Sequence, residues 1–175
     1  MPDPLLPERV EPYRLARQGR TLRGTVAVAS LPRLAEAVSA LEGDAEAELG
    51  FALDAAGVPH ATGRVRARVR LVCQRCLEPM TLAIDAPLRV GFARSEAAAA
   101  ALPEAYEPVV VGAEEELALA GLVEDELLLA LPIVPRHAAG EPCAGRERLA
   151  ALARAAEPPR ALEALGALWR QRDRR

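Results

Sequence analysis

The sequence predicts an α+β fold: an antiparallel, partly curved sheet packed by helices, with a C-terminal helical tail. Three observations point there. Residues 45–53 and 64–71 alternate apolar with polar side chains at period 2, the mark of half-buried strands. Leu34, Val38 and Leu41, and again Ala120, Val123, Leu127 and Leu131, recur at helical spacing. Strands follow one another through short turns with no glycine-rich phosphate loop, which disfavours a parallel nucleotide-binding sheet.

Taken in order, residues 1–20 carry Pro2, Pro4, Pro7 and Pro12, too many to sustain a helix or a central strand, so they read as an arm over the surface. A core domain is expected over 21–135, and a loop with a C-terminal helical segment over 136–175. "TLRGTVAVA" (21–29) reads as a strand, and Ser30 as the N-cap of a helix over 31–41. "DAEAELGFALD" (44–54) is a strand that ends in the turn "DAAGVP". "GRVRARVRLVC" (63–73) is the clearest strand: Arg64, Arg66, Arg68 and Arg70 project from one face, and Val65, Ala67, Val69 and Leu71 enter the core. The alternation resumes at Met80, Leu82 and Ile84, so the intervening Cys-x-x-Cys caps a hairpin. Ser95 opens a short Ala-rich helix, and "LPEAYEP" leads to a strand "VVVG". Glu114, Glu115 and Glu116 are placed in the first turn of a helix that Pro132 ends. "RERLAALARAA" and "RALEALGALWRQRDRR", split by "EPP", read as two short helical segments with a basic end.

The chain has 175 residues, enough for one domain that needs no covalent staple, and a formal net charge of −3. All 22 basic residues are Arg. The charge is uneven: residues 60–94 hold seven Arg against Glu78 and Asp85, and residues 95–130 hold nine acids and no base. Three cysteines, an odd number, follow an opening "MPDPLLPERV" without a basic or apolar leader region, so a reduced cytoplasmic compartment is expected. The apolar run "LALAGLVEDELLLALPIVP" is interrupted by Glu124, Asp125 and Glu126, which disfavours a membrane span.

Two constellations offer chemistry. Arg64, Arg66, Arg68, Arg70 and Arg75 form a candidate platform for phosphates, since guanidinium forks match phosphate oxygens. The plainer reading is a solvated strand face with Glu46 and Glu48 as cross-strand partners. Few aromatics accompany these arginines, so phosphate contact or an acidic partner suits them better than base readout. Cys73, Cys76, His137 and Cys143 make a sufficient Cys3His set for zinc, with His60 as a competing ligand. The spacing matches zinc sites only at Cys73 and Cys76, and small residues at a tight turn remain the preferred reading. A redox dithiol is disfavoured because Pro79 and a strand follow, not a helix N-terminus. Glu124, Asp125 and Glu126 are consecutive on a helix and point in different directions, so they read as a solvated flank and not a catalytic pair. No hydrolase elbow, phosphate loop or metalloprotease motif is present, and no enzyme is expected.

"LVCQRCLEPM", "LPEAYEPVVV" and "GLVEDELLLALPIVPRH", in this order, with a late Cys and "EPPRALEALGALWRQR", closely resemble the YceD family of large ribosomal RNA subunit accumulation proteins. The likeness runs from about residue 15 to 170 and is strongest over 71–137. It implies a cytoplasmic, non-enzymatic factor for synthesis, processing or stability of 23S ribosomal RNA and for large-subunit assembly. The family's motif residues fall on Cys73, Arg75, Cys76 and Pro79, and on Glu124, Glu126, Leu131, Pro132 and Pro135. Where relatives carry Asn-Pro-Phe before the final helix, this chain has "EPPRAL". The expected partner is ribosomal RNA or a large-subunit precursor, touched directly or through a ribosomal protein; no membrane and no small-molecule substrate are expected. The alternative is a protein-binding adaptor whose acidic segment 95–130 recruits a basic ribosomal protein. No cofactor is required by either reading, and zinc is compatible with both.

Overall fold

The computed structural model describes residues 4–155. In chain order the elements are β1 (Arg9–Val10), α1 (Pro12–Gln18), β2 (Thr21–Val26), a 3-10 turn (Val28–Ser30), α2 (Pro32–Ala37), β3 (Ala40–Leu41), β4 (Ala45–Leu53), β5 (Pro59–Val72), β6 (Pro79–Ala93), α3 (Glu96–Ala99), β7 (Glu107–Val110), β8 (Leu117–Ala118), α4 (Leu119–Leu129) and α5 (Ala144–Ala155). Among the described residues the main sheet has six strands, ordered β2-β4-β5-β6-β7, with β3 pairing the far half of β5; β1 and β8 form a separate ribbon. The α+β architecture expected from the sequence is present. One edge departs from it, because β7 runs parallel to β6. The link from Ala93 to Glu107 carries α3 and is long enough for the crossover a parallel pair requires.

The sheet is built on the long β5–β6 hairpin, whose register runs from Val72 opposite Pro79 to His60 opposite Gly91. Its inward positions, Val65, Ala67, Val69, Leu71, Ile84, Ala86, Leu88 and Val90, are buried with Leu49 and Phe51 of β4. Helices α1 and α4 contact the sheet, and α2 packs on α4. The opposite sheet face carries the exposed alternate residues of β4, β5 and β6. Among the described residues, no helix is long and apolar enough to cross a membrane.

Gly63 shows why β4 and β5 come so close. A Cβ there would run into the carbonyl oxygen of Glu48 on the neighbouring strand. Gly63→Ala is therefore expected to lower stability by about 3 kcal/mol, because backbone and not a flexible side chain stands in the way. Chemical denaturation checks this, and a variant within about 0.5 kcal/mol of the parent would contradict the strand spacing.

Five local expectations are corrected. The N-terminal arm is not merely laid over the surface. Pro12 occupies the first turn of α1, where its missing N–H costs no bond, and Gly19 closes the helix with φ 60°. Tyr13 and Ala16 are buried, and the Tyr13 hydroxyl donates to the Val111 carbonyl at 2.8 Å. Ahead of it, the Thr25 N–H donates to the Pro4 carbonyl at 2.9 Å and the Leu6 N–H to the Thr25 carbonyl at 2.8 Å. The helix expected over 31–41 stops at Ala37, since the Ser39 and Glu42 amides bond instead to Arg70 and Arg68 of β5, both at 2.8 Å. Ser30 lies in the 3-10 turn and does not cap α2, whose N-cap position is Leu31.

The fourth and fifth concern α4. Glu114, Glu115 and Glu116 precede the helix, because Leu117 and Ala118 are taken up in pairing with β1. Its buried face is Leu119, Leu122, Val123, Glu124 and Leu127, while Ala120 and Leu131 are partly buried. Glu124 is thus no part of a solvated flank. The segment "RALEALGALWRQRDRR" lies outside the described residues.

Candidate functional site

The arginine row is outward, as the alternation requires: Arg64, Arg66, Arg68 and Arg70 are exposed and their neighbours Val65, Ala67, Val69 and Leu71 are buried. Strand geometry repeats such a side chain about every 6.6 Å. Arg23 of β2, opposite Glu48, and Arg89 of β6, opposite Thr62, fall on the same face. Glu46 and Glu48 stand directly opposite Arg66 and Arg64, as expected. The ion pairs go elsewhere. Asp85 takes Arg64 at 2.7 Å and Arg66 at 3.3 Å, and Glu42 takes Arg70 at 3.1 Å. Hydrogen bonding from the Arg64 guanidinium, against a smaller opposing effect of desolvation, holds the Asp85 carboxyl below its ordinary range. Arg68 makes no ion pair among the described residues, so it is the most available cation of the row. Arg75 is half-buried in the hairpin turn, beyond the end of β5.

The cysteines sit at that hairpin's tip. The Cys73 amide donates to the Glu78 carbonyl at 2.9 Å and the Leu77 amide to the Cys73 carbonyl at 2.8 Å, with Leu77 at φ 63° turning the chain back into β6. A strap from the end of α4 returns to this tip, where the Gln74 amide donates to the Pro135 carbonyl at 2.9 Å. It brings in His137, whose Nδ1 lies 3.4 Å from the Cys76 sulfur, and Cys143, buried just before α5. The ligand atoms of Cys73, Cys76, His137 and Cys143 all lie within 4.8 Å of one another. His60 is not in this group; it opens β5 and packs against Tyr106, with ring centroids 5.0 Å apart.

The environment separates the thiols. Burial pushes Cys73 up, but backbone N–H groups of His137, Cys76 and Arg75 outweigh it and hold the thiol down to about 5. Cys143 is also lowered: burial opposes, and the Arg146 amide and the His137 ring prevail. Cys76 is raised, since the downward pull of the Glu78 amide is overcome by burial and by the neighbouring Cys73 and Cys143 sulfurs. His137 is raised, chiefly by its hydrogen bond with Cys143. The thiolate that metal ligation uses is thus favoured at Cys73 and Cys143, while ligation at Cys76 and His137 would release a proton.

Other motif residues have structural places. The Glu124 carboxylate, 3% exposed, accepts from the Leu34 amide at 3.0 Å and from Arg33 at 2.8 Å. Asp125 binds the same guanidinium at 2.7 Å. Glu126 is half-buried, and burial raises its carboxyl. Pro132 is exposed at the start of the strap, and the Pro79 carbonyl faces the His137 ring. Sequence reasoning missed Asp85 as the partner of Arg64 and Arg66. Counting equal steps outward from Val72 and Pro79 across the hairpin would have found it, because the register places Asp85 opposite Arg66.

Comparison with known proteins adds a second line of observation. The family model described as large ribosomal RNA subunit accumulation protein YceD matches residues 61–167, a span that includes all four residues of the cysteine–histidine group. A Haemophilus influenzae protein named large ribosomal RNA subunit accumulation protein YceD is 38% identical over 132 residues, covering 75% of this chain and 76% of that protein. No solved structure matches the chain.

Proposed function

The chain belongs to the YceD family of large ribosomal RNA subunit accumulation proteins, and from that membership we propose that it is a cytoplasmic, non-enzymatic ribosome-biogenesis factor acting in synthesis, processing or stability of 23S ribosomal RNA and in large-subunit assembly. The observation that carries a direct RNA contact is the open sheet face with six arginines, Arg23, Arg64, Arg66, Arg68, Arg70 and Arg89, against Glu42, Glu46, Glu48 and Asp85. A flat row of guanidinium groups suits a phosphate backbone, and among the described residues no aromatic side chain stands among the arginines to read bases. The contact is therefore with shape and charge. Its strength is moderated by Asp85, which competes for two of the cations.

That competition gives the test. Arg66→Glu with Arg68→Glu is expected to weaken co-sedimentation with large-subunit precursors and to flatten its salt dependence, by a slope of about 1 to 2 for the phosphates no longer neutralised. Asp85→Asn is expected to do the opposite, binding several-fold more tightly with a steeper salt slope. Unchanged binding in both variants would remove the arginine face as the contact. Crosslinking that recovers a basic ribosomal protein from residues 95–130, and no RNA from β5, would replace it with the adaptor reading. In the acidic segment Glu116, Glu124 and Asp125 are paired with Arg9 or Arg33, and the other six acids make no ion pair among the described residues.

A further inference from the structure

We propose that Cys73, Cys76, His137 and Cys143 form a structural zinc site that fastens the strap and the start of α5 to the tip of the β5–β6 hairpin. The claim stands apart from RNA binding and is tested separately. Four donor atoms within 4.8 Å of one another fit one ion: zinc–sulfur bonds of about 2.3 Å place tetrahedral sulfurs about 3.8 Å apart. Three sulfurs and one nitrogen in four-fold coordination are a donor set that zinc prefers over harder cations. The set is closed, with no donor position left to a substrate, so the role is structural and not catalytic.

The orientation of the histidine supports this independently. His137 Nε2 is 3.3 Å from the Pro79 carbonyl, which can only accept, so Nε2 carries the proton. In the neutral ring, Nδ1 then presents its lone pair toward the sulfurs, 3.4 Å from Cys76. A backbone carbonyl fixing the tautomer of a ligating imidazole is the usual outer partner in metal sites. The scaffold around the group is equally committed. A Cβ on Gly145 would run into the Arg75 carbonyl, so α5 begins in backbone contact with the Cys73–Cys76 turn. The Arg146 guanidinium also donates to the His137 and Ala138 carbonyls at 3.2 and 2.6 Å. No helix follows Cys76 to support a redox dithiol, because β6 begins at Pro79. On binding, each thiol ligates as thiolate and gives any remaining proton to solvent.

The full chain, expressed with zinc in the medium and purified without chelator, is expected to hold about one equivalent of zinc. Cys76→Ser and His137→Asn are each expected to reduce this below about one tenth while circular dichroism still reports the sheet. Cobalt(II) loading should give the intense visible absorption of a tetrahedral thiolate site, lost in the same variants. Removing the metal should speed proteolysis within residues 133–155 about tenfold over the sheet. Parent protein with under a tenth of an equivalent and three titratable thiols, a Cys73–Cys76 disulfide, or zinc retained equally in both variants would each overturn the proposal.

Discussion

Glu124→Ala is expected to lower the free energy of unfolding by about 3 kcal/mol. Helix α2 has no local side-chain cap, and the amide of Leu34 in its first turn is buried. The Glu124 carboxylate reaches over from α4 to accept that N–H at 3.0 Å, with its second oxygen on Arg33 at 2.8 Å. Removing it strands a buried donor, and hydrogen bonds to charged groups contribute about 1.5–3 kcal/mol, to which a small cavity adds. Glu124→Gln keeps an acceptor oxygen for Leu34 and is expected to cost only about 1 kcal/mol. The half-exposed Arg33 retains water and Asp125 in either variant. Urea unfolding with an unchanged m value measures both. If alanine falls within about 0.5 kcal/mol of the parent, the carboxylate is not what holds α2 on α4.

This residue also marks where sequence reasoning reaches its limit. The β5–β6 hairpin was legible because its burial has period 2 over many residues, which leaves one register that keeps Val65 through Leu71 inside. The mixed class of the fold and the outward arginines followed from the same alternation. What escaped was set by bonds between distant segments. Residues 38–41 continue a helical apolar pattern, yet the free edge of β5 captures the Ser39 and Glu42 amides. Three consecutive acids resemble a solvated helix flank unless Arg33 and the Leu34 amide are known to stand beside the first. At the cysteine–histidine group the residue types were legible, but the wide interval between His137 and Cys143 was not. The turn from Ala138 to Glu141, with Gly140 at φ 97°, takes up that interval before Cys143 meets the other sulfurs.

Phe92→Ala is expected to be more damaging still, at about 4 kcal/mol. The chain's only two phenylalanines stack on each other across the sheet, with ring centroids 6.0 Å apart and planes 10° from parallel, and both are fully buried. Tyr13 meets Phe92 edge-on at 6.5 Å, so one ring joins β4, β6 and the N-terminal helix. Truncation removes the transfer free energy of the ring and leaves a void that strand backbones on both sides cannot close, for which about 3–5 kcal/mol is usual. It also loosens Tyr13, whose hydroxyl reaches Val111 beyond β7. With domains of this kind stable by about 5–15 kcal/mol in all, much of the folded population's margin is at stake. Phe92→Leu fills most of the space and is expected to cost about 1.5 kcal/mol or less. Equal losses for alanine and leucine would mean that the stacked ring geometry, and not buried volume, dominates. A loss below about 1 kcal/mol for alanine would mean that α1 is not held to the sheet through this ring.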